Sequence, residues 1–150
     1  MKKTVFLFIS VALVIIGIVS FQEKAPERVV ILTDKAPRPI GPYSQAIKVG
    51  NTLYVAGQVG ANLEGKIDTA SVENEVKQAM NNVKAIVEAA GMNMQQVVKS
   101  TLYVKDLKHF SKINKIYATY FPNNPPARET VQIAGLPKDA NFEVSVIAVK

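Results

Sequence analysis

Cysteine is missing from this 150-residue chain, and histidine occurs once, at His109. The first absence excludes disulfides, a thiolate nucleophile and Cys-ligated metal. The second leaves no His-rich metal cluster and no histidine-paired triad. There is also no run of five or more basic residues: the formal net charge of +6 comes from lysines scattered along the chain. Charge alone therefore does not point to nucleic acid or an anionic membrane, although the sequence pI is about 9.5. Repeats and low-complexity tracts are lacking too. What remains, 48% apolar and 20% charged residues, suits one globular domain able to bury a core.

The first residues read as a separate module. "MKKTVFLFISVALVIIGIVSF" places Lys2 and Lys3 before a nearly unbroken apolar stretch from Val5 to Val19, the n-region and h-region of an export signal. The stretch is shorter than the roughly 20 residues that span a bilayer comfortably, which favours a cleaved peptide. Against cleavage, Ile18-Val19-Ser20 is not a small-x-small site. Residues 1–21 are therefore expected to be a signal peptide or an uncleaved N-terminal membrane anchor. Either way the rest of the chain is exported, periplasmic or otherwise extracytoplasmic, and meets a membrane only through this segment if it is uncleaved.

Residues 22–35 mix charges and prolines around one β-branched run, Val29 to Leu32, and predict a linker with a first strand. "AIKVGNTLYVAGQV" predicts a β-hairpin turning on Gly50-Asn51. From Ser71 to Ala90 the period changes: Val72, Val76, Ala79, Met80, Val83, Ile86, Val87 and Ala90 recur at three- and four-residue spacing, with Gly91 as a stop. "VVKSTLYV" (97–104) is a further strand. Asp106 is the expected N-cap of a second helix carrying Leu107, Phe110, Ile113, Ile116 and Tyr120, ended by Pro122. Strands are expected from Thr130 to Ala134 and from Phe142 to Val149.

The resulting order is β-β-β-α-β-α-β-β, and two helices cover only one face of such a sheet. The other face would carry Thr52, Tyr54, Ala56 and Gln58 on one strand and Glu143, Ser145, Ile147 and Val149 on the last. Such semi-polar rows with exposed apolar area fit a subunit interface. Glu143, opposite the core row Phe142, Val144 and Val146, would then be a carboxylate in need of a partner or a task.

Six stretches carry a resemblance: "APRPIGPYSQAI", "YVAGQVG", "VKQAMNNVKAIVEAAG", "FSKINKIYATYF", "PPARETV" and "LPKDANFEVSVIAV". In that order they resemble the signature blocks of the Rid family (RidA-like, RutC family) of reactive-intermediate imine deaminases, over residues 36–150. The resemblance implies an α+β, chorismate-mutase-like fold with both helices on one face of a mostly antiparallel sheet. It further implies a homotrimer with an active site in each cleft between subunits. The implied reaction is hydrolysis of 2-imino acids, the tautomers of enamines such as 2-aminoacrylate, to 2-oxo acids and ammonia. Neither metal nor organic cofactor is implied.

Residue by residue, the resemblance places the carboxylate clamp on Arg128, a role that suits a planar fork able to make two charge-assisted hydrogen bonds. The acid that orients or activates water falls on Glu143. Tyr43 would line the substrate pocket, and Gly57 would let backbone approach the ligand. Asn114 stands at the pocket edge or caps a local backbone group. Thr130, in a place often held by cysteine, joins the substrate-binding set. Ala56 replaces a frequent serine and Ser145 a frequent acid, which touches substrate preference and leaves clamp and acid in place. His109 is expected at the surface, and Tyr103, Tyr117 and Tyr120 as packing and interface aromatics rather than a stacking platform. Two other functions are weighed: an endoribonuclease or translation inhibitor, for which a lone histidine is a poor acid/base pair, and a non-catalytic ligand-binding or chaperone-like trimer. A nucleic-acid partner is not expected.

Overall fold

The computed structural model of the protein describes residues 25–68 and 70–150. The expected export segment, 1–21, lies outside the described residues. Among those described, no helix is long and apolar enough to cross a membrane.

Six strands form one sheet in the order β1-β2-β3-β6-β4-β5. They are β1 (Arg28–Ile31), β2 (Ala46–Val49), β3 (Thr52–Val59), β4 (Val97–Val104), β5 (Ala127–Gln132) and β6 (Phe142–Val149). Every pairing is antiparallel except β4 with β5. Helix α1 (Val72–Ala89) lies across β3 and β6, and α2 (Phe110–Ala118) packs beside α1. The architecture is thus α+β, with two helices on one face of a mostly antiparallel sheet.

Local chemistry accounts for these elements. Gly50 turns the β2-β3 hairpin at φ +55°, a value that costs glycine little. The Ser71 side chain accepts from the Asn74 backbone N–H and caps α1. At the other end Gly91, at φ +71°, donates to Glu88 and Met92 donates to Val87, the paired bonds of a Schellman ending. All eight apolar positions of the α1 periodicity are buried. They meet Leu53 and Val55 of β3 and Phe142, Val144, Val146 and Ala148 of β6 in a single core.

Four boundaries differ from expectation. β1 begins one residue early, at Arg28. Asp106 caps a separate turn of 3-10 helix, Leu107–His109, by accepting from the Lys108 N–H, and α2 starts only at Phe110. That helix ends at Ala118, four residues before Pro122. β5 begins at Ala127 rather than Thr130 because it adds in parallel to β4, Lys99 with Ala127 through Val104 with Gln132. Arg128 therefore lies within a strand.

The outer-face rows are as expected with one exception. Thr52, Tyr54 and Ala56, and the row from Glu143 to Val149, alternate with buried core residues. Gln58 does not join them: the register shifts between Val55 and Gln58. This bulge inserts an extra residue and reverses the alternation, so Gln58 pairs with core Val144 and is buried.

Candidate functional site

The outer face carries one half of the site. Glu143 stands on β6 between Val59 of β3 and Tyr103 of β4, beside the bulge. There the missing side chain of Gly57 makes room for the carboxylate: a Cβ at Gly57 would lie 1.8 Å from Glu143 Oε1 and 2.7 Å from Cδ. Gly57 was expected to admit a ligand; the structure shows it first admitting Glu143.

Tyr43 reaches the same place from the loop between β1 and β2. Buried Gln45 shapes that loop, donating through Nε2 to the carbonyls of Thr33, Ala36 and Pro37 at 3.0, 3.2 and 2.9 Å. Its Oε1 accepts from the Thr33 N–H at 2.7 Å. These bonds make an otherwise irregular segment a fixed wall. Tyr43, Ile40, Gly57, Leu63, Lys138 and Glu143 are among the residues around a cavity of about 550 Å³. On the other flank of Glu143 lies a shallower groove with Tyr103, Leu136 and Ser145. Lys138 donates to the Gly65 carbonyl at 2.5 Å and ties the far rim to the loop after β3.

Burial pushes the Glu143 carboxyl above its ordinary value of 4.5, since withdrawal from water disfavours the charged form. A carboxylate raised in this way is a better proton acceptor than a fully solvated one. Its strand is anchored by Glu75 of α1, a buried residue that the sequence reading did not single out. Glu75 accepts from the Asn141 and Phe142 backbone N–H groups at 2.6 and 3.1 Å and from Asn141 Nδ2 at 3.0 Å.

The other half lies on the helix side of the sheet. Arg128 pairs in register with Ser100 of β4, which pairs with core Val146. Its guanidinium carbon lies 4.8 Å from the centre of the Tyr117 ring and 5.8 Å from that of Phe110. Thr130 follows two residues on, on the same face, and Asn114 lies on α2 between the two rings in sequence. Thr130 Oγ1 and Asn114 Oδ1 are both enclosed and find no hydrogen-bond partner among the described residues. Enclosed polar atoms left unpaired are costly unless a ligand or partner completes them.

The six expected site residues thus separate into two groups: Tyr43, Gly57 and Glu143 at the outer-face cavity, and Arg128, Thr130 and Asn114 beside α2. Tyr117 and Ser100 were not among the site candidates, yet Tyr117 lies against the Arg128 guanidinium and bonds Ser100, the residue in register with Arg128. Tyr120 bonds α1 through Lys77 O and Asn81 Oδ1. His109 is half-buried at the start of α2. Among the described residues no group of three or more His, Asp or Glu side chains is placed to hold a metal ion.

Comparison with known proteins gives concordant matches. A family profile described as endoribonuclease L-PSP matches residues 33–150. A RutC family protein of Pyrococcus abyssi is 49% identical over 122 residues, covering 81% of this chain and 96% of its own. A protein of Dermatophagoides farinae named 2-iminobutanoate/2-iminopropanoate deaminase is 44% identical over 126 residues, 83% of this chain and 98% of its own. The crystal structure of E. coli TdcF with bound serine superposes with a TM-score of 0.79 at 37% identity, over 81% of this chain and 98% of that one.

Proposed function

The chain belongs to the endoribonuclease L-PSP (RutC/RidA) family, and from that premise we propose that it hydrolyses 2-imino acids such as 2-iminopropanoate and 2-iminobutanoate to 2-oxo acids and ammonia. The observation that carries this reading is the division of the site. Among the described residues, one face offers a guanidinium that enters no ion pair, with two enclosed, unpartnered polar atoms beside it. The opposite face offers a carboxyl raised by burial beside a cavity. Each is half of what an imino acid requires.

In this reading the chain is a homotrimer, and the Arg128 half of one subunit closes on the Glu143 half of its neighbour. The outer sheet face suits such burial, since Val30, Tyr54, Val131 and Val149 are 53%, 50%, 43% and 40% exposed in the single chain. The Arg128 fork holds the substrate carboxylate, each charge-assisted bond contributing about 1.5–3 kcal/mol. Glu143 takes a proton from a water whose oxygen bonds to the imine carbon. The nitrogen of the resulting carbinolamine takes up a proton, and as the hydroxyl oxygen forms the C=O bond and returns its own proton to Glu143, the C–N bond breaks and ammonia leaves. Tyr43 walls the pocket; Asn114 and Thr130 supply its remaining polar contacts. The relatives named 2-iminobutanoate/2-iminopropanoate deaminase support this assignment, at 44% identity.

The test generates 2-iminobutanoate in situ from 2-aminobutanoate with an amino-acid oxidase, adds the protein, and follows loss of the imine. Accelerated loss that disappears in Arg128→Ala supports the reading. No acceleration over buffer, with a folded trimer confirmed by scattering, overturns it. The protein is further proposed to act outside the cytoplasm behind residues 1–21. The mass of the N-terminus in soluble and membrane fractions distinguishes cleavage from anchoring, and an intact N-terminus in the cytosol refutes both.

A further inference from the structure

We propose that Tyr117, held by Ser100 and assisted by Phe110, is the positioning residue that aims the Arg128 guanidinium. The proposal rests on the reading of Arg128 as the carboxylate clamp. Among the described residues six side-chain ion pairs form, and none includes Arg128. The structure uses ring faces in their place. Phe110 and Tyr117 stand seven residues apart on α2, two turns along one helix face, and both rings lie within 6 Å of the guanidinium carbon, at 5.8 and 4.8 Å.

Ring faces suit this task better than a carboxylate. A cation over an aromatic face is stabilised by the ring quadrupole, and its N–H groups keep their hydrogen-bonding capacity. A protein carboxylate would occupy the fork that the substrate needs. Tyr117 must itself be fixed to fix Arg128, and three contacts do this. The residue is 4% exposed, its ring packs against Phe121 with centroids 4.8 Å apart, and its hydroxyl pairs with Ser100 Oγ at 2.5 Å. Ser100 is the residue in register with Arg128 across β4 and β5, so strand pairing and side-chain contact close one loop: Arg128, Tyr117, Ser100 and back to Arg128. Burial also raises the Tyr117 hydroxyl above its ordinary value of 10.0, so the ring stays neutral through the working range and adds no charge beside the clamp.

The experiment measures the dissociation constant of 2-oxobutanoate, the product acid, by calorimetry on the full chain, with kcat and KM for the imine alongside. Tyr117→Leu is expected to weaken 2-oxobutanoate binding about tenfold and to raise KM by a similar factor, leaving kcat within about twofold. Tyr117→Phe keeps the ring and breaks only the Ser100 bond, so it is expected to weaken binding by about threefold, between the parent protein and Tyr117→Leu. A purely structural role would lower the melting temperature without this split between KM and kcat. Should Tyr117→Leu fail to fold, Phe110→Leu at the more exposed ring carries the test, with an expected weakening of about threefold. Unchanged binding in the folded ring variants, alongside lost binding in Arg128→Ala, overturns the positioning role alone. Undiminished binding in Arg128→Ala overturns the clamp reading and this inference together.

Discussion

Arg128 and Glu143 lie on opposite faces of the same sheet: Arg128 is in register with Ser100 of β4, and Glu143 with Tyr103, three residues further along that strand. An odd offset along a strand places two side chains on opposite faces. If both act on one substrate, they come from different subunits, and two inactive variants should complement each other. Arg128→Ala and Glu143→Gln proteins, unfolded together in equal amounts and refolded, should recover roughly a quarter of the parent activity, because about one interface in four then unites an intact Arg128 with an intact Glu143. Activity that stays at zero in mixed, properly assembled oligomers would show that both residues must come from one chain.

Gly57→Ala tests the contact that seats the carboxylate. The new Cβ would meet Glu143 Oε1 at 1.8 Å, so the flexible end of Glu143 must swing aside while the backbone stays put. Activity should fall by about a hundredfold, on the scale of a displaced catalytic group. Stability should change by less than about 1.5 kcal/mol, because Gly57 lies on an exposed bulge. A folded Gly57→Ala protein with parent kcat would show that Glu143 need not occupy its observed position.

Much of this arrangement could be read in advance where chemistry is local. The glycine turn at Gly50, the α1 stripe, the ending at Gly91 and the whole of β6 follow from periods of two and 3.6 and from residues that tolerate positive φ. Local rules failed at Gln58, where one inserted residue reversed the face. Gly57 in the middle of a strand was the available sign, since an interior glycine often marks a bulge. Glu75 could also have been found. It stands three residues after Val72 on the buried stripe, and a carboxylate there implies donors waiting in the core. The grouping of Ser100, Tyr117 and Arg128 was not legible. It depends on a parallel pairing between strands on either side of α2, and no local period encodes that pairing.

Glu75→Ala should be among the more destabilising single changes in the chain. It orphans the Asn141 and Phe142 N–H groups and Asn141 Nδ2 together, and three lost bonds of this kind correspond to about 3 kcal/mol. Urea unfolding should show that loss as a lower midpoint at constant slope. A change below about 1 kcal/mol would mean that water replaces the carboxylate at little cost. The bonds sit at Asn141 and at Phe142, the first residue of β6, so kcat should also drop when Glu143, the next residue, loses its anchored strand.

Glu143 carries the last prediction, in which activity and stability move in opposite directions. Its pKa is raised above 4.5 by burial, so folding favours the protonated form. The associated stability is present at low pH and is lost as pH rises through the folded-state pKa. At pH 7 the ionised carboxylate is therefore a cost to the fold, and Glu143→Gln, which removes that charge, should melt at the same temperature as the parent protein or higher. As the pH is lowered below 4.5 the two proteins should converge, because both are then neutral at this position. Catalysis runs the other way. The parent kcat should rise with pH along an acidic limb centred above the ordinary glutamate value, as Glu143 becomes the ionised base, and Glu143→Gln should show no such limb. A Glu143→Gln protein that melts well below its parent at pH 7 and above it at pH 4 would reverse the assigned sign and place a stabilising cation beside the carboxylate.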